Sequence, residues 1–503
     1  MKLIKESSWI LFLSTITETF AFITNFGIIY ILSNIFSPSE YAYYSLSITF
    51  YGFFFLFTNF GIGWTVLRHV SANTNNNTKK KAELISQGFT YSFLFGLLFS
   101  ALLFFLSSYF EIIYDMPHLG INLKYISIYL FFSNLILYIE NAFQGLKNFK
   151  FYAISNISFN SLKLCVVLLV FIMDIDITAI LGLITLCSMI QFLLIFLIVQ
   201  FNNNYFNYIT KFDKKTFNII LKFSIYVFIP GLFLFVYTKF NQFLLAFYTT
   251  PDDFSFYSIT LVLIEGFSLP ILILSRATFP YVTNYSENDK DNSNISLMYN
   301  FLIKYGLLIS IPISVCFFYF SDNLIILIFT SKYLPASNYL KVYIFYLNIK
   351  MLGLNGANFL YASNKSKMVF KLTGITALVS FIMSIILIPF FYSYGAIFSV
   401  IIPHIVYIIY TILHVKKDNN IVLKSHIFIT ILKYLLSSII SLILVNILIM
   451  IFRLDLMNVI NYLLIIILYY TSFFVLIIII KGISIKEIKN LIFNISVKRK
   501  KVN

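Results

Sequence analysis

Nine charged side chains sit inside stretches that are otherwise apolar: Glu18, Glu140, Lys163, Lys239, Glu265, Arg276, Lys341, Lys350 and Lys433. A charge at the bilayer centre costs about 2.5–3.5 kcal/mol on insertion scales, so each must face protein or a wet cavity. Lys341, Lys433 and Glu140 lie near the ends of their stretches, where ion pairing or snorkelling accounts for them. The central ones resist that account. Lys163, Lys239, Arg276 and Lys350 bias the interior towards positive charge, which suits an anionic ligand, because Arg forks two phosphate oxygens and Lys attracts others as a point charge. A diphosphate, with at least two negative charges, fits this set better than a cationic drug. The competing structural reading is that these charges pair with one another.

Other chemistries find no residues to carry them. Gly61-Ile62-Gly63 is not completed to GxGxxG, and no GxxxxGK[ST] occurs, so no nucleotide signature is present. Each of the five His is followed by an apolar residue, so HExxH is absent. Cys165, Cys187 and Cys316 lie in apolar stretches without CxxC or CxxH spacing, which supports neither a disulfide framework nor a zinc site. No cofactor is expected apart from H+ or Na+ as a coupling ion, and the chain is not expected to be an enzyme.

The elements that must position these charges are membrane helices. The 503 residues are 60% hydrophobic and 11% charged, where a soluble domain is roughly half apolar and about a quarter charged. A crossing needs about 20 apolar residues, because hydrocarbon offers backbone groups no partner outside the helix. Fourteen such runs are predicted, near 10–32, 42–66, 85–109, 125–143, 153–173, 178–200, 223–248, 255–281, 300–320, 337–361, 368–390, 394–414, 426–451 and 458–480. The start, Met1 to Ile35, looks like a signal peptide, but Glu18 interrupts it and no small-x-small site follows, so it reads as a retained first helix.

Charge orients the helices. With the N-terminus inside, 27 of the 36 basic residues fall on the cytoplasmic side, six fall within helices, and only Lys124, Lys332 and Arg453 fall outside. That split fixes the orientation with both termini cytoplasmic and explains the net charge of +16 without nucleic-acid binding. No loop exceeds about twenty residues, which leaves no room for a soluble catalytic domain.

The sequence also repeats. Ser37-Pro38-Ser39-Glu40-Tyr41-Ala42-Tyr43-Tyr44-Ser45 matches Thr250-Pro251-Asp252-Asp253-Phe254-Ser255-Phe256-Tyr257-Ser258 at an offset of 213, and Asn141 to Lys150 matches Asn358 to Lys367 at an offset of 217. Each repeat holds six predicted helices, an even number, so the halves are expected to be related by an axis along the membrane normal. The predicted organisation is an N-lobe over 1–210, a C-lobe over 211–416, and two appended helices with a basic tail over 417–503. Pro38 and Pro251 each open a helix, with Glu40 or Asp253 in its first turn.

These residues resemble the polysaccharide exporter and O-antigen flippase family, within the superfamily that also holds the multidrug and toxic-compound extrusion transporters. The likeness runs through Phe36-Ser-Pro-Ser-Glu-Tyr-Ala-Tyr-Tyr44, Phe60-Gly-Ile-Gly-Trp-Thr-Val-Leu-Arg-His69, Gln144-Gly-Leu-Lys-Asn-Phe-Lys150, Ile225-Tyr-Val-Phe-Ile-Pro230 and Ser275-Arg-Ala-Thr-Phe-Pro280. The usual Gly after the Tyr of the outer turn is Ala42 here, with Phe254-Ser255 in the second half. The resemblance implies an all-α membrane protein of fourteen helices in the bacterial cytoplasmic membrane. Its implied cargo is an undecaprenyl-diphosphate-linked oligosaccharide, an O-antigen or capsule repeat unit, moved outward by alternating access. It implies that the first, second, seventh and eighth helices line the cleft, which puts Glu18, Lys239, Glu265 and Arg276 on it, with Lys163 and Lys350 as further binding candidates. The implied partners are membrane lipid and glycan polymerase machinery, and no nucleic acid. The rivals are a cation-coupled multidrug extrusion transporter, which would want a carboxylate-dominated cleft, and a membrane-bound glycan polymerase or scaffold, which would want a long outer loop.

The topology is testable directly. In a background without the three native cysteines, cysteines placed at Asn76, Lys214 and Lys417 should react only with reagent on the cytoplasmic face, and those at Ser39, Asp252 and Asp455 only from outside. Reaction of positions 417 and 455 from one face would break the fourteen-helix assignment.

Overall fold

The computed structural model describes residues 2–72, 78–169, 173, 175–202, 213–288, 293–419 and 426–482. Asn76, Lys211, Lys290, Lys424 and the basic tail from Lys486 to Lys501 lie outside the described residues. The described chain is helical almost throughout, without a strand, and divides into two compact units, Met1–Ser258 with Phe381–Ala396 and Ile259–Ser380 with Ile397–Asn503.

The first unit holds α1 (Lys2–Ile35), α2 (Pro38–Asn59), α3 (Ile62–Ala72), α4 (Thr78–Tyr114), α5 (Leu119–Gly145), α6 (Phe149–Leu168), α7 (Ile177–Asn202), α8 (Lys214–Thr238), α9 (Phe240–Tyr248) and the start of α10 (Pro251–Phe267). The second holds the rest of α10, then α11 (Leu269–Asn288), α12 (Ser293–Tyr319), α13 (Ser321–Phe329), α14 (Ala336–Tyr343), α15 (Tyr346–Ala362), most of α16 (Ser366–Asn419), α17 (His426–Phe452) and α18 (Val459–Ile479).

Among the described residues, eleven helical stretches are long and apolar enough to cross a membrane, and the bent α2–α3 pair makes twelve. Two features separate that number from the fourteen runs in the sequence. First, α16 counts as one stretch, yet Tyr392 has φ 48° and ψ −122° inside it, and the Ser380 hydroxyl donates to the Ser399 carbonyl at 2.8 Å. Nineteen residues of straight helix would hold those groups about 28 Å apart. The segment therefore doubles back into two arms, where the sequence places runs 368–390 and 394–414. Second, the run 337–361 is divided between α14 and α15, neither of which is long.

Each unit is built on one buried helix. In the first unit 78% of the apolar window of α5 is buried, against 28–33% for α1, α4, α6 and α7, and α2, α3, α4, α6 and α7 all pack on it. Small residues and hydrogen bonds set those packings, since hydrocarbon gives helices no hydrophobic reason to associate. Tyr138 donates to the Ile85 carbonyl, Asn134 donates to the Ser92 carbonyl at 3.0 Å, and Gly63, Gly88 and Gly145 sit at the crossings. In the second unit α12 plays that part, touched by α11, α15 and α17. The two C-terminal helices dock there, α17 by packing along α12 and α18 by hydrogen bonds: Tyr469 donates to the Pro312 carbonyl at 3.1 Å and Tyr462 to the carbonyl of Phe320, the residue after α12, at 3.3 Å.

The repeated sequences build repeated backbone. At Ser37 the hydroxyl accepts from the Glu40 N–H at 3.3 Å and the Glu40 carboxylate accepts from the Ser37 N–H at 2.9 Å, a capping box that starts α2. At Thr250 the hydroxyl accepts from the Asp253 N–H, also at 3.3 Å, and opens α10 the same way. The second pair ends helices. Lys147 and Asn364, 217 residues apart, both take positive φ, 64° and 58°. Each is followed by the same six-to-one bond, Asn148 N–H to the Phe143 carbonyl at 2.8 Å and Lys365 N–H to the Leu360 carbonyl at 2.9 Å.

The expected single span 42–66 is instead broken, with α2 and α3 meeting at 45°. Phe60 and Gly61 both have positive φ, 43° and 73°. A Cβ on Gly61 would lie 2.8 Å from Val227 Cβ and 2.9 Å from the Ser224 carbonyl, so the bend needs glycine for its conformation and for its space. Gly61→Ala should therefore cost about 1–3 kcal/mol and lower the thermal unfolding midpoint in detergent. An unchanged midpoint would mean that the bend is not fixed as described.

Candidate functional site

The charges within the apolar stretches fall at two kinds of place, on helix faces and at helix breaks. In the first unit α1 packs along α6. Lys163 of α6 is half-buried, donates to Asn25 Oδ1 of α1 at 3.3 Å, and holds its ammonium 5.0 Å from the centroid of the Phe159 ring. Glu18 is exposed on α1, two turns before Asn25, and Tyr152 of α6 is within electrostatic reach of both Glu18 and Glu140. The α1–α6 pair thus carries a carboxylate at one level and an ammonium about 10 Å further along.

Lys239 stands where α8 gives way to α9, with φ −129° and ψ −19°. The break is pinned on its α9 side. Asn241 donates to the Tyr257 hydroxyl at 2.7 Å and to the Ala396 carbonyl at 3.1 Å, and Gln242 accepts from Thr49 at 2.8 Å. The expected run 223–248 is therefore two helices with a cation at their joint.

In the second unit Glu265 and Arg276 flank the break between α10 and α11, and both are exposed. The expected run 255–281 is thus also divided, at Ser268. Arg276 lies within α11, five residues before the expected end of its run at 281, and α11 runs on through more polar sequence to Asn288. Asn358 of α15 donates to Ser275 Oγ at 2.8 Å, which fixes the rotation of α11 and turns residue 276 about 100° from that contact. Lys350 is half-buried on α15, within electrostatic reach of His404. The candidates thus gather as Glu18 with Lys163 on one helix pair and Lys239 at a joint in the first unit, and as Glu265, Arg276 and Lys350 on α10, α11 and α15 in the second.

Two of the three charges read as structural are so. Lys341 donates to Asp322 at 2.8 and 3.0 Å, and Lys433 donates to the Lys481 carbonyl at 3.1 Å, near the end of α18. Burial acts to raise the Asp322 carboxyl, but hydrogen bonds from Lys341 and Ser337 and the Lys341 charge together hold it below the usual carboxylate range. Glu140 departs from the terminal, snorkelling reading. It is only 3% exposed, accepts from the Ser155 hydroxyl at 2.6 Å, and has no Lys or Arg of the described residues within 4.0 Å. Gln191 of α7 completes the cluster by donating to the Ser155 carbonyl at 2.9 Å. Position in the sequence misled because Glu140 is near the end of α5, the most buried long helix of the first unit.

Residues 31–338 match a family described as polysaccharide biosynthesis protein. The fold is similar to that of a lipid II flippase, MurJ, in an inward closed conformation, with 18% identity, a TM-score of 0.74, and coverage of 93% of this chain and 98% of that one. It is also similar to an inward-facing multidrug resistance MATE family transporter of the MOP superfamily, at 12% identity and TM-score 0.61 over 80% of this chain and 94% of that one. A MOP superfamily transporter from Pyrococcus furiosus aligns at 13% identity and TM-score 0.56 over 83% of this chain and 95% of that one. No curated protein matches the chain by sequence.

The Glu140 cluster yields a test of its own. A carboxyl held by a hydroxyl rather than by a cation should tolerate an amide of the same shape. Glu140→Gln should keep stability within about 0.5 kcal/mol, whereas Glu140→Ala should cost about 1–3 kcal/mol by stranding Ser155 and opening a void. Equal loss in both variants, read by thermal unfolding in detergent, would mean that the ionised charge itself is needed.

Proposed function

The chain belongs to the polysaccharide biosynthesis protein family, and from that premise we propose that it is a flippase carrying an undecaprenyl-diphosphate-linked oligosaccharide, an O-antigen or capsule repeat unit, to the outer leaflet. The fold likeness to a lipid II flippase supports a lipid-linked cargo. The observation that carries the reading is Arg276, an exposed guanidinium five residues before the expected inner end of its apolar run at 281, on a helix whose rotation is fixed by its neighbour Ser275. There it can fork a diphosphate as the head group leaves the lipid interface. Lys163, Lys239 and Lys350 supply further positive charge, and Glu18 and Glu265 balance it between cargoes.

In this reading the chain crosses the bacterial cytoplasmic membrane fourteen times with both ends inside. α2–α3 forms one broken crossing, α16 two, and α14–α15 one. The lobes 1–210 and 211–416 alternate access about an axis along the membrane normal, 417–503 is the appendix, and the polyprenyl tail stays in lipid. Exchange is coupled to H+ or Na+, and the flipped unit passes to glycan polymerase machinery.

Arg276→Ala should lower surface glycan at least about tenfold at equal protein level, and Arg276→Lys should fall nearly as far, because a point charge replaces the planar fork. Snorkelling or simple pairing would tolerate Lys. Normal export from both variants would remove Arg276 from the binding role. A loss of drug tolerance with intact glycan export would favour the multidrug reading instead.

A further inference from the structure

Beyond the bend at Gly61, α3 packs on α4, α5 and α8, and each takes a different side of it. Thr65 shares a hydrogen bond of 2.9 Å with the Ser224 hydroxyl of α8, Val66 lies against Gly88 of α4, and Gly63 lies against Asn141 of α5. Behind Val66 those helices close on one another. Tyr91 of α4 meets Phe217 of α8 edge to face, with ring centroids 5.1 Å apart, and α4 packs along α5. At about 100° per residue the side of α3 opposite Val66 falls to residues 64 and 68, and it is open: Trp64 is 56% exposed and Arg68 is exposed.

Arg68 is held in place by a contact that leaves its donors free. Its guanidinium carbon stands 4.3 Å from the centroid of the Phe223 ring of α8. His69 meets the same ring edge-on at 5.7 Å while its Nδ1–H donates to the Thr65 carbonyl at 2.8 Å, so the ring is fixed from two sides. Stacking on a ring occupies the flat of a guanidinium and leaves its five N–H groups pointing outward in the plane. Among the described residues no carboxylate lies within 4.0 Å of it and none accepts a hydrogen bond from its N–H groups. The two helices run antiparallel, with Thr65 opposite Ser224 and Gly61 opposite Val227. Trp64 and Tyr226, the latter 67% exposed, therefore fall at one level, about 6 Å along from Arg68 and Phe223.

A fixed anion fork with exposed aromatic rings one turn away suits a sugar phosphate. The phosphate lies in the plane of the guanidinium, and the C–H face of a pyranose lies on a ring whose face is electrostatically negative. A lipid phosphate without sugar uses only the fork, and a cationic drug is repelled by it.

We propose that Trp64, Arg68 and Tyr226 form a subsite for the sugar next to the diphosphate of a lipid-linked glycan, with Arg68 forking a phosphate and Trp64 stacking on the pyranose. This inference rests on the cargo reading above and adds recognition of the sugar to it, through residues which that reading leaves unassigned.

Trp9 and Trp64 are the two tryptophans of the chain, so Trp9→Phe makes Trp64 the sole reporter. The full chain in nanodiscs is titrated with undecaprenyl diphosphate carrying one N-acetylglucosamine, with undecaprenyl diphosphate, and with phosphatidylglycerol, read by Trp64 emission and by binding of the radiolabelled lipids. The glycosylated lipid should bind about tenfold more tightly than the sugarless one, and it alone should shift the emission of Trp64. Trp64→Leu should bring the glycosylated lipid down to the affinity of the sugarless one, and Trp64→Tyr should restore most of the difference. Arg68→Lys should weaken both diphosphates about tenfold and keep their ratio. Equal affinities in the wild type, or an unchanged ratio in Trp64→Leu, would overturn the sugar stack. Unchanged binding in both Arg68→Lys and Arg68→Ala would overturn the phosphate fork, and an equal Trp64 response to phosphatidylglycerol would give the patch to membrane head groups. Weaker binding in Arg276→Ala with none in the Arg68 and Trp64 variants would leave the flippase reading standing without this subsite, whereas failure of both diphosphates to bind the wild type would remove the two together.

Discussion

Hydrocarbon offers no partner for a peptide N–H or carbonyl, and the architecture follows from that constraint. Helices can break only where protein takes up the freed groups. At the α2–α3 joint the Phe60 N–H still reaches the Leu56 carbonyl at 2.9 Å, and the Thr65 N–H reaches the Gly61 carbonyl at 3.1 Å. At the α8–α9 joint the Lys239 N–H reaches Phe235 at 2.7 Å, and at the α10–α11 joint the Ser268 N–H reaches Ile264 at 3.0 Å. Each break therefore loses little hydrogen bonding while it changes the direction of the chain. Breaks of this kind are also where polar side chains can be held at membrane depth, and Lys239 and Glu265 are found at or beside them.

Charge is handled in two different ways. Glu140 is enclosed by α5, α6 and α7 and answered by neutral groups, Ser155 backed by Gln191, which makes it part of the fixed packing of the first unit. Arg276 and Glu18 are exposed, on helices whose other faces are fixed by Ser275–Asn358 and by the α1–α6 contact. A side chain on a fixed helix with its own end accessible is what the proposed cargo reading calls for. A side chain locked at both ends is not.

The sequence revealed what depends on composition over twenty residues and hid what depends on two or three. Apolar runs located the helices, including the two arms of α16 that a helix assignment alone merges. Turn chemistry located the caps at Ser37 and Thr250, because Ser or Thr followed three residues later by an acid has one local solution. The bend at Gly61 was hidden, since a glycine in an apolar run is compatible with a straight membrane helix as well as with a bent one. So was the division at Lys239, where the hydropathy is continuous across the joint. Glu140 was misread because distance from a helix end says nothing about which helix is central, a matter of tertiary packing. The partners Asn25, Asn241 and Gln242 are uncharged and gave no comparable signal, although amides within apolar runs, such as Asn141 beside Glu140, are the same kind of clue at lower cost.

Fold alone cannot choose the cargo. One architecture aligns with a lipid II flippase and with multidrug transporters, at identities of 18% and 12% that leave the interior side chains free to differ. What separates those cargoes physically is the sign of charge a cavity must hold in low dielectric, where a wrong-sign group is far more costly than in water. Within the apolar runs of this chain, with Lys304 and Lys371 counted at the cytoplasmic ends, six cations stand against three carboxylates. Lys341 with Asp322 and Lys433 with the Lys481 carbonyl are satisfied structurally, and Glu140 is sealed into packing. The other four cations and two carboxylates are assigned to the cargo in the proposed reading, a surplus of two positive charges. A cationic drug would meet that surplus as repulsion, and a diphosphate would neutralise it.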